Sequence, residues 1–338
     1  MNNNWNDLLT AVGARNGFAD FGDPAAELAA AANATIVAPL TDLGCLSAVG
    51  EDSANYLHNL MTNDVKNITP GVLRRAGFCT PKGRLLADFM IWREGEETLL
   101  QLPAEILPAM LKKLSMFILR SKVKLTDASD DKVLLGLSGP DAAALVAEVA
   151  GAAPQPMATV AFVGGSALGL GAQRFQLVVN ADQAAAVWSR LSAKARPVGL
   201  DAWRWLEIAA GSPRVVAATQ EAFIPQMINY IPLGGVAFNK GCYPGQEIVA
   251  RTQYLGKVKR HMFRAHLSAG TVEAGASVYA PETGEQACGT VVSAAPSPLG
   301  GIELLAVIQT SCRETGEVHL GAPDGPRPEF LDLPYSIE

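Results

Sequence analysis

The sequence predicts an α+β fold of three modules: two related α/β modules followed by a small β domain. Its 338 residues exceed one typical domain, and a hydrophobic share of 49% with a charged share of 18% is typical of well-packed globular proteins. One order of predicted elements occurs twice, and the sequence changes character near residue 259. We therefore predict modules at residues 1–130, with an Ala-rich start that forms a helix or a flexible entry segment, 131–258 and 259–338.

The repeat begins with two similar segments. Gly50-Glu51-Asp52-Ser53-Ala54 resembles Gly139-Pro140-Asp141-Ala142-Ala143, and each follows a short apolar run and opens a helical pattern. Proline suits a first helical turn, and aspartate complements a helix N-terminus. The apolar residues that follow fall on one helical face, namely Ala54, Leu57, Leu60 and Met61 in the first copy and Leu145, Val146 and Val149 in the second.

The elements after these helices also match. Strands are predicted at residues 85–92 and 98–102 in the first copy, and at residues 158–168 and 174–180 in the second. Each pair precedes a helix, which carries Ile106, Met110, Leu111 and Leu114 in the first copy and Val187, Trp188 and Leu191 in the second. Strand, helix, two strands, helix and a closing strand is the order of a ferredoxin-like unit. The parallel element order favours a duplication.

The last module has a different pattern. From about Lys259, short β-like runs alternate with turns such as Pro281-Glu282-Thr283-Gly284 and Glu314-Thr315-Gly316. Evenly spaced short strands of this kind are typical of a small barrel or sandwich.

Charge and hydropathy exclude several classes of protein. The net charge of -6 argues against a dedicated nucleic-acid binder, although a local basic patch can override that average. No apolar run is long enough to span a bilayer, and the start Met1-Asn2-Asn3-Asn4-Trp5 lacks the features of a signal peptide. We therefore expect a cytoplasmic protein without a membrane partner.

Cysteine and histidine spacing argues against a metal site. Cysteines occur at positions 45, 79, 242, 288 and 312, an odd number without a CxxC motif. Histidines at positions 58, 261, 266 and 319 show no zinc spacing. We expect neither a disulfide framework nor a bound metal.

One segment is too particular to be a packing pattern. Lys240-Gly241-Cys242-Tyr243-Pro244-Gly245-Gln246-Glu247, called the octapeptide below, contains no aliphatic side chain, and its glycines and proline shape a backbone that presents polar groups. A nearby cation makes a thiol nucleophilic, and Lys240 lies two residues before Cys242. The run from Glu247 to Arg251 resembles the start of a helix or strand. These residues leave open whether Cys242 is reactive, faces a ligand, or is a half-buried structural cysteine.

A carboxylate lies within an apolar strand at Asp88. Residues 85–89 read Leu-Leu-Ala-Asp-Phe, so Asp88 is either an outward-facing residue or a buried group that needs partners. Alternation alone favours the outward position. A buried carboxylate can have a raised pKa, which suits proton transfer or recognition of a heterocycle. Thr62-Asn63-Asp64, at the end of the first helix, is read as turn or capping chemistry.

Basic and aromatic residues give further candidates. Local positive charge suits an anionic ligand tail or an acidic partner, but it is also typical of solvated strand edges. The basic clusters are Arg251, Lys257, Lys259, Arg260 and Arg264; Arg74, Arg75, Lys82 and Arg84; and Lys112, Lys113, Arg120, Lys122 and Lys124. The sequence shows no aromatic RNA-recognition motif, which argues against direct RNA contact. Trp203 and Trp205 could stack on a ring ligand, although core packing is the more frequent role.

Together these segments resemble the YgfZ family, folate-binding relatives of the aminomethyltransferase (T-protein) of the glycine cleavage system. The octapeptide matches the family's K-G-C-Y-x-G-Q-E signature at every fixed position. Other matching pieces are Thr62-Asn63-Asp64-Val65, Pro81-Lys82-Gly83-Arg84, Arg120-Ser121-Lys122-Val123 and Leu333-Pro334-Tyr335. The similarity extends from about residue 38 to the end of the chain.

The resemblance implies a T-protein-like fold, in which two ferredoxin-like modules and a C-terminal antiparallel β-barrel form a ring around a central folate site. It also implies a role in the assembly or repair of iron–sulfur proteins, including enzymes that modify tRNA, with tetrahydrofolate as ligand. The partners it implies are folate and iron–sulfur proteins or their assembly machinery.

The resemblance also extends to individual functional residues. Asp88 falls at the position of the T-protein's catalytic aspartate, whereas the T-protein's pterin-binding glutamate aligns with Ala209. Whether Glu207, two positions earlier, faces the same way is left open. The T-protein lacks the cysteine-containing octapeptide. The candidate catalytic residues are Cys242 and Asp88, and the candidate folate-binding residues are Lys240, Gly241, Cys242, Tyr243, Gly245, Gln246, Glu247, Arg251, Asp88, Trp205 and Glu207.

The leading hypothesis is an accessory protein of iron–sulfur metabolism that binds tetrahydrofolate, in its polyglutamylated form. Asp88 and an aromatic wall would hold the pterin, basic residues would hold the glutamate tail, and Lys240 would stabilise the Cys242 thiolate. One alternative is a folate-dependent one-carbon transferase with Asp88 as acid or base. Another is a thiol or RNA-contacting adaptor that does not use folate.

Overall fold

The structure, a computed structural model, describes residues 3–337 and has an α+β architecture with three sheets in that range. Its helices are α1 (Asn3–Ala11), α2 (Pro24–Asn33), α3 (Ser53–His58), α4 (Leu107–Ser115), α5 (Ala142–Ala150), α6 (Ala181–Ser192), α7 (Leu200–Ala209), α8 (Gln246–Tyr254) and α9 (Thr310–Thr315). Its strands are β1 (Ile36–Pro39), β2 (Leu43–Val49), β3 (Arg74–Cys79), β4 (Leu85–Glu94), β5 (Glu97–Pro103), β6 (Lys124–Asp127), β7 (Lys132–Ser138), β8 (Thr159–Phe162), β9 (Gly165–Gly171), β10 (Arg174–Asn180), β11 (Arg196–Pro197), β12 (Arg260–Leu267), β13 (Ser277–Tyr279), β14 (Gly289–Pro296), β15 (Ile302–Gln309), β16 (His319–Leu320) and β17 (Glu329–Leu331).

The two α/β modules share one topology. Each runs strand, helix, three strands, helix, strand, from β2 to β6 in the first copy and from β7 to β11 in the second. The first sheet has the order β3-β4-β5-β2-β6, and the second has the corresponding order β8-β9-β10-β7-β1-β11, with β1 inserted. Without the outer strand β3 or β8, and without β1, each order is that of a ferredoxin-like unit. The predicted fold class is confirmed.

The structure corrects two of the predicted elements. The single strand predicted at residues 158–168 is wrong, because the chain turns at Val163-Gly164 and forms the hairpin of β8 and β9. Gly164 has φ +100°, a conformation that a β-branched residue rarely adopts, and this permits the turn. The helix that starts at Ser53 is also shorter than predicted: it ends at His58, and Met61 instead forms a β-bridge with Phe78.

The chain divides into two compact units. The first contains residues up to His58, Asp64–Arg74 and Phe89–Trp203, and the second contains Asn59–Asn63, Arg75–Asp88 and residues from Arg204 onward. In the first unit, α1 packs on α6 through an edge-on contact of Trp5 and Trp188, whose ring centroids lie 5.8 Å apart. The Ala-rich stretch forms α2, capped by Asp23, whose carboxylate accepts a hydrogen bond from the Ala26 N–H at 3.1 Å.

The second unit holds the C-terminal sheet and two apolar cores. Strands β12 to β17 pair in the antiparallel order β16-β13-β14-β15-β12-β17 and curl into a half-barrel. One core lies among these strands, around the buried residues Val291, Leu304 and Ala306. The other surrounds Cys79, Leu85 and Tyr230, and it positions the residues of the candidate site. None of the helices described at residues 3–337 is long and apolar enough to cross a membrane.

Candidate functional site

Asp88 lies in the second unit, where residues 215–223 form hydrogen bonds with the start of its strand, β4. The Leu85 N–H donates to the Phe223 carbonyl at 2.8 Å, and the Glu221 N–H donates to the Leu85 carbonyl at 2.7 Å. The Val215 N–H donates to Asp88 Oδ1 at 2.6 Å. The Asp88 side chain is partly buried. It is therefore a fixed, hydrogen-bonded carboxylate that keeps some accessible surface, and not a fully solvated strand residue.

Burial raises the pKa of the Asp88 carboxyl above its usual range, because removal from water disfavours the charged form. The Val215 N–H and the guanidinium groups of Arg214 and Arg75 oppose that rise, whereas the Glu207 carboxylate adds to it. Both protonation states of Asp88 are thus energetically closer than in an exposed aspartate. Such a group suits either proton transfer or hydrogen bonding to a heterocycle.

Two arginines and a second carboxylate surround Asp88. Arg75 is only 8% exposed, and its guanidinium donates to Ser212 Oγ at 3.0 Å. The Arg214 guanidinium forms an ion pair with Glu207 at 2.6 Å. The Glu207 carboxylate, two residues before Ala209, acts on the Asp88 pKa through its charge. That Glu207 faces the site stays a prediction.

A buried phenol completes this group. Tyr230 is fully buried, and its pKa is raised well above the usual range, first by burial and then by the negative charge of Asp88. Its hydroxyl lies beside Asp88 but makes no hydrogen bond of ordinary geometry with the residues described. Cys79 packs in the same core, and burial raises the pKa of its thiol to about 12. Cys79 is thus a neutral thiol at physiological pH.

The octapeptide packs directly against the Pro81-Lys82-Gly83-Arg84 motif. Gly245 has φ +81°, and a Cβ at this position would lie 2.6 Å from Gly83 Cα and would also meet the Thr80 carbonyl. Gly83, at φ +71°, faces the Ile248 side chain and the Gly245 carbonyl. Two segments more than 150 residues apart therefore meet glycine to glycine, which is why neither motif tolerates a side chain there.

Replacing Gly245 with alanine is expected to destabilise the protein strongly. The left-handed conformation alone costs an alanine about 1–2 kcal/mol, and the close approach to Thr80 and Gly83 adds a steric cost of about 1–3 kcal/mol. Gly316 has nearly the same backbone, with φ 77° and ψ 1° against φ 81° and ψ 1°, but a Cβ there meets nothing within 4 Å. Gly316→Ala therefore isolates the conformational cost in chemical denaturation. Equal losses in the two variants would contradict this packing.

Within the octapeptide, the side chains divide between the core and the surface. Cys242 is exposed, whereas Tyr243 is buried and its pKa is raised, first by burial and then by the neighbouring Cys79. The Lys240 ammonium donates to the Met61 carbonyl at 2.6 Å and lies 4.9 Å from the centre of the Tyr243 ring. Lys240 and Tyr243 therefore fix the loop, and they leave the Cys242 thiol accessible. That Lys240 stabilises the Cys242 thiolate stays a prediction.

The Cys79 thiol is linked electrostatically to both the residues around Asp88 and the octapeptide. Its charge state influences the pKa of both Tyr230, beside Asp88, and Tyr243, in the octapeptide. Asp88 and Cys242 belong to the same compact unit, the second. The order of residues along the chain gave no sign of this grouping.

The remaining predicted site residues lie around this core. Gly241 and Glu247 are exposed, Gln246 begins α8, and Arg251 projects from that helix into solvent. The predicted helix or strand entry after the octapeptide is thus a helix. Trp205 is partly buried, and its indole N–H donates to Glu303 Oε1 at 2.9 Å, so the residue is anchored to the C-terminal sheet. Stacking of Trp205 on a ring ligand stays a prediction.

The Thr62-Asn63 pair has a more specific role than capping a helix. Thr62 Oγ1 donates to the Gly235 carbonyl at 2.6 Å and accepts from the Gly77 N–H at 2.7 Å. Asn63 Nδ2 donates to the carbonyls of Arg75 and Gly234 at 2.7 and 2.6 Å. The pair therefore joins β3 to the loop before the octapeptide, and the reading as turn chemistry alone is corrected.

Several residues of the site escaped sequence reasoning. Arg75 was one member of a basic cluster, and nothing in its neighbours indicated that it would be buried beside Asp88. Arg214 and Tyr230 had no motif at all. Tyr335 belonged to a matching segment, and its hydroxyl donates to the Gly211 carbonyl at 2.6 Å. Within residues 3–337, no group of histidine, cysteine or acidic side chains is arranged to hold a metal ion, and the cysteines there are free thiols.

Comparison with known proteins identifies the fold and the family of this chain. The family described as "GCVT N-terminal domain" matches residues 18–229. The aminomethyltransferase T of the glycine cleavage system from Bartonella henselae has the same fold, with a TM-score of 0.74 at 17% identity over 98% of this chain and 96% of that one. The protein thus has the fold of the aminomethyltransferase T, and its residues 18–229 match the GCVT N-terminal domain family.

Relatives of higher sequence identity show to which family within this fold the chain belongs. The tRNA-modifying protein YgfZ from Yersinia pestis (strain Pestoides F) is 31% identical over 303 residues, which cover 88% of this chain and 92% of the relative. The protein of the same name from Colwellia psychrerythraea is 31% identical over 230 residues, which cover 68% of this chain and 71% of that relative. The chain belongs to the YgfZ family.

Proposed function

We propose that this protein is a cytoplasmic, tetrahydrofolate-binding accessory protein that supports iron–sulfur proteins, including those that modify tRNA. Its family membership and the name of its relatives, tRNA-modifying protein, support the connection to tRNA modification. The observation that carries the proposal is Asp88, a hydrogen-bonded, partly accessible carboxylate with a raised pKa. It has the chemistry needed to recognise the donor edge of a pterin.

The residues around Asp88 fit a pterin. A pterin presents an amino group and a ring N–H, and a carboxylate accepts such paired donors well. The buried Tyr230 hydroxyl lies beside Asp88 and orients toward the same carboxylate that would accept the pterin donors. Val215 fixes one oxygen of Asp88, which orients the carboxylate before a ligand arrives. When bound, tetrahydrofolate would supply a carrier for one-carbon units.

Glu207 is the carboxylate that we assign to the role of the T-protein's pterin-binding glutamate. Ala209 provides no polar group, whereas Glu207 lies close enough to Asp88 to affect its pKa. Arg214 holds Glu207 in place through their ion pair. For the glutamate tail, we assign Lys82 and Arg251, which are both exposed on the segments that meet at Gly83 and Gly245.

Calorimetric titration with tetrahydrofolate tests the proposal. We expect saturable binding, with higher affinity for a polyglutamylated form than for the monoglutamate because additional carboxylates meet the exposed cations. The gain from polyglutamylation should fall as ionic strength rises. Absence of binding to both forms would overturn the folate assignment and favour an adaptor that does not use folate.

Replacing Cys242 with alanine is expected to separate folate binding from biological activity. The thiol is exposed, so the free energy of unfolding should stay within about 0.5 kcal/mol of wild type. Affinity for tetrahydrofolate should stay within about twofold of wild type, because the pterin contacts proposed above come from Asp88 and Glu207 and not from Cys242. In a strain that lacks the protein, the variant should fail to restore iron–sulfur enzyme activity. Asn239→Ala, an exposed neighbour, serves as the control and should restore it. Full restoration by Cys242→Ala would remove the thiol from the function.

The raised pKa of Asp88 supports a second candidate function, a folate-dependent one-carbon transferase. In that case Asp88 would give or take a proton at the substrate amine, since its two protonation states are closer in energy than in an exposed aspartate. This candidate requires turnover of an aminomethyl or N-methyl donor in the presence of tetrahydrofolate. No turnover across such donors, in protein that binds folate, would eliminate it.

A further inference from the structure

The exposed side of α8 has an unusual composition for a surface helix. Ile248, Tyr254 and Leu255 are 40%, 68% and 84% exposed, whereas Val249 on the opposite side is fully buried. In helical projection, positions 248, 251 and 255 share one stripe, and position 254 adjoins it. The residues that follow the helix add Lys257 and Lys259, both exposed. We call Ile248, Arg251, Tyr254, Leu255, Lys257 and Lys259 the α8 stripe.

The α8 stripe combines exposed apolar area with positive charge. Isolated apolar residues are common on surfaces, but neighbouring ones rimmed by charged groups are typical of interaction sites. The three cations stand on a protein whose net charge is -6, so they form a local exception to its average charge. Glu247, at the start of the helix, is the acidic residue that borders them.

The same helix is structurally joined to the octapeptide. Gly245 is the residue from which α8 begins, and Cys242 lies three positions earlier. The Tyr254 ring packs edge-on against Phe238, with centroids 5.4 Å apart, so the end of the helix contacts the segment just before Lys240. A partner seated on the α8 stripe would therefore lie next to a loop that exposes a thiol.

We propose that the α8 stripe is the docking surface for an acidic protein, which inserts an apolar group beside Leu255 and so lies next to the exposed Cys242 thiol. The cations select a partner of opposite charge, and the apolar centre provides the contact that persists at higher salt. A protein is favoured over RNA because exposed isoleucine and leucine side chains gain nothing from a phosphate backbone. This inference rests on the proposed function, since it assigns a partner to the same site.

Photo-crosslinking from position 255 tests the docking surface. A benzophenone amino acid is placed at position 255 or, as control, at position 299 in the full chain, expressed in a strain that lacks the native copy. Leu299 is 79% exposed in the turn between β14 and β15, so it matches Leu255 in exposure. We expect a protease-sensitive, RNase-resistant adduct at position 255 only, with an acidic protein identified by mass spectrometry. An RNase-sensitive adduct, a dimer of this chain, or the same adduct at both positions would overturn the proposal.

Binding of the identified protein, once purified, completes the test. Leu255→Ser should weaken binding at least about tenfold, because a buried leucine contributes this much to an interface. Lys257→Glu should weaken it more at low salt than at high salt, whereas Leu299→Ser should leave it unchanged. Unfolding temperatures of all variants should match wild type, since the replaced side chains are exposed. Unchanged affinity in Leu255→Ser would overturn the proposal.

Tetrahydrofolate titration of the same variants separates this inference from the proposed function. Leu255→Ser should bind folate like wild type while losing the partner. A protein that binds the partner but no folate would refute the folate assignment and leave the docking surface standing.

Discussion

Asp88→Asn is expected to lower the affinity for tetrahydrofolate by about tenfold to a hundredfold while leaving the fold intact. A hydrogen bond to a charged group contributes about 1.5–3 kcal/mol, and the asparagine replaces one accepting oxygen with a donor that opposes the pterin's own donors. The remaining amide oxygen can still accept the Val215 N–H, so the local backbone keeps its partner. Calorimetric titration measures the loss.

The same substitution should reveal the cost of the buried charge through the pH dependence of stability. The folded-state pKa of Asp88 lies above its ordinary value of 3.8, so between these two pKa values the folded protein binds more protons than the unfolded chain. The contribution of Asp88 to the free energy of unfolding therefore falls as pH rises through that window. Asparagine does not titrate, so Asp88→Asn should gain stability relative to wild type as pH rises above the ordinary aspartate pKa of 3.8 and through the raised folded-state pKa of Asp88.

Exposed Asp182, in the first turn of α6, provides the control. Asp182→Asn makes the same substitution at an exposed position, and its stability is measured over the same pH range as the reference for Asp88→Asn. An Asp88→Asn variant that loses stability steadily as pH rises would show that the arginines, and not burial, dominate at Asp88. Unchanged folate affinity in this variant would remove Asp88 from the binding site.

Glu303→Ala is expected to destabilise the second unit by about 3–5 kcal/mol, the usual effect of leaving a buried charge without its partner. Glu303 is 1% exposed on β15, and its carboxylate accepts hydrogen bonds from the Trp205 indole, Ser297 Oγ and the Arg264 guanidinium. Removal leaves the largely buried Arg264 guanidinium without its counter-charge. Chemical denaturation measures the loss, and Trp205 fluorescence should shift because its indole N–H loses its acceptor.

Glu303→Gln tests the contribution of the charge, since an amide can still accept from Trp205 or Ser297. It should lose less stability than Glu303→Ala. The Glu148–Lys194 pair on the surface is the matched control, because exposed ion pairs contribute little. Glu148→Ala should leave the unfolding transition unchanged. Equal effects of Glu303→Ala and Glu148→Ala would mean that the buried network does not hold α7 to the C-terminal sheet.

Secondary structure was largely predictable where the hydrophobic period was strong. The strands that became β4, β5 and β10 and the helices that became α4 and α6 follow from local patterns of two and 3.6 residues. The β8–β9 hairpin was missed because its turn, at Val163-Gly164, sits inside a run that reads as one apolar strand. The reduced length of α3 was missed because Met61 pairs with Phe78, a contact between segments distant in sequence.

The candidate site was predictable only as separate pieces. The octapeptide was found because eight consecutive residues without an aliphatic side chain do not fit a packed core. Asp88 was found because it is a carboxylate within an apolar strand. Arg75, Arg214 and Tyr230 were not found, since each is an ordinary residue until the fold brings it beside Asp88. The Thr62-Asn63 pair was assigned to local turn chemistry, although its partners lie more than 170 residues away at Gly234 and Gly235.

By itself, the sequence determined the α+β class, the repeated order of elements and the family resemblance, and it singled out Cys242 and Asp88 as candidate site residues. These depend on periodicity and on short motifs, which are local properties of the chain. Only the tertiary structure decided that Gly83 and Gly245 meet, that Cys242 is exposed, and that the Val215 N–H holds Asp88. Burial, pKa and hydrogen bonding depend on which distant residues become neighbours, and that information enters only when the chain is folded.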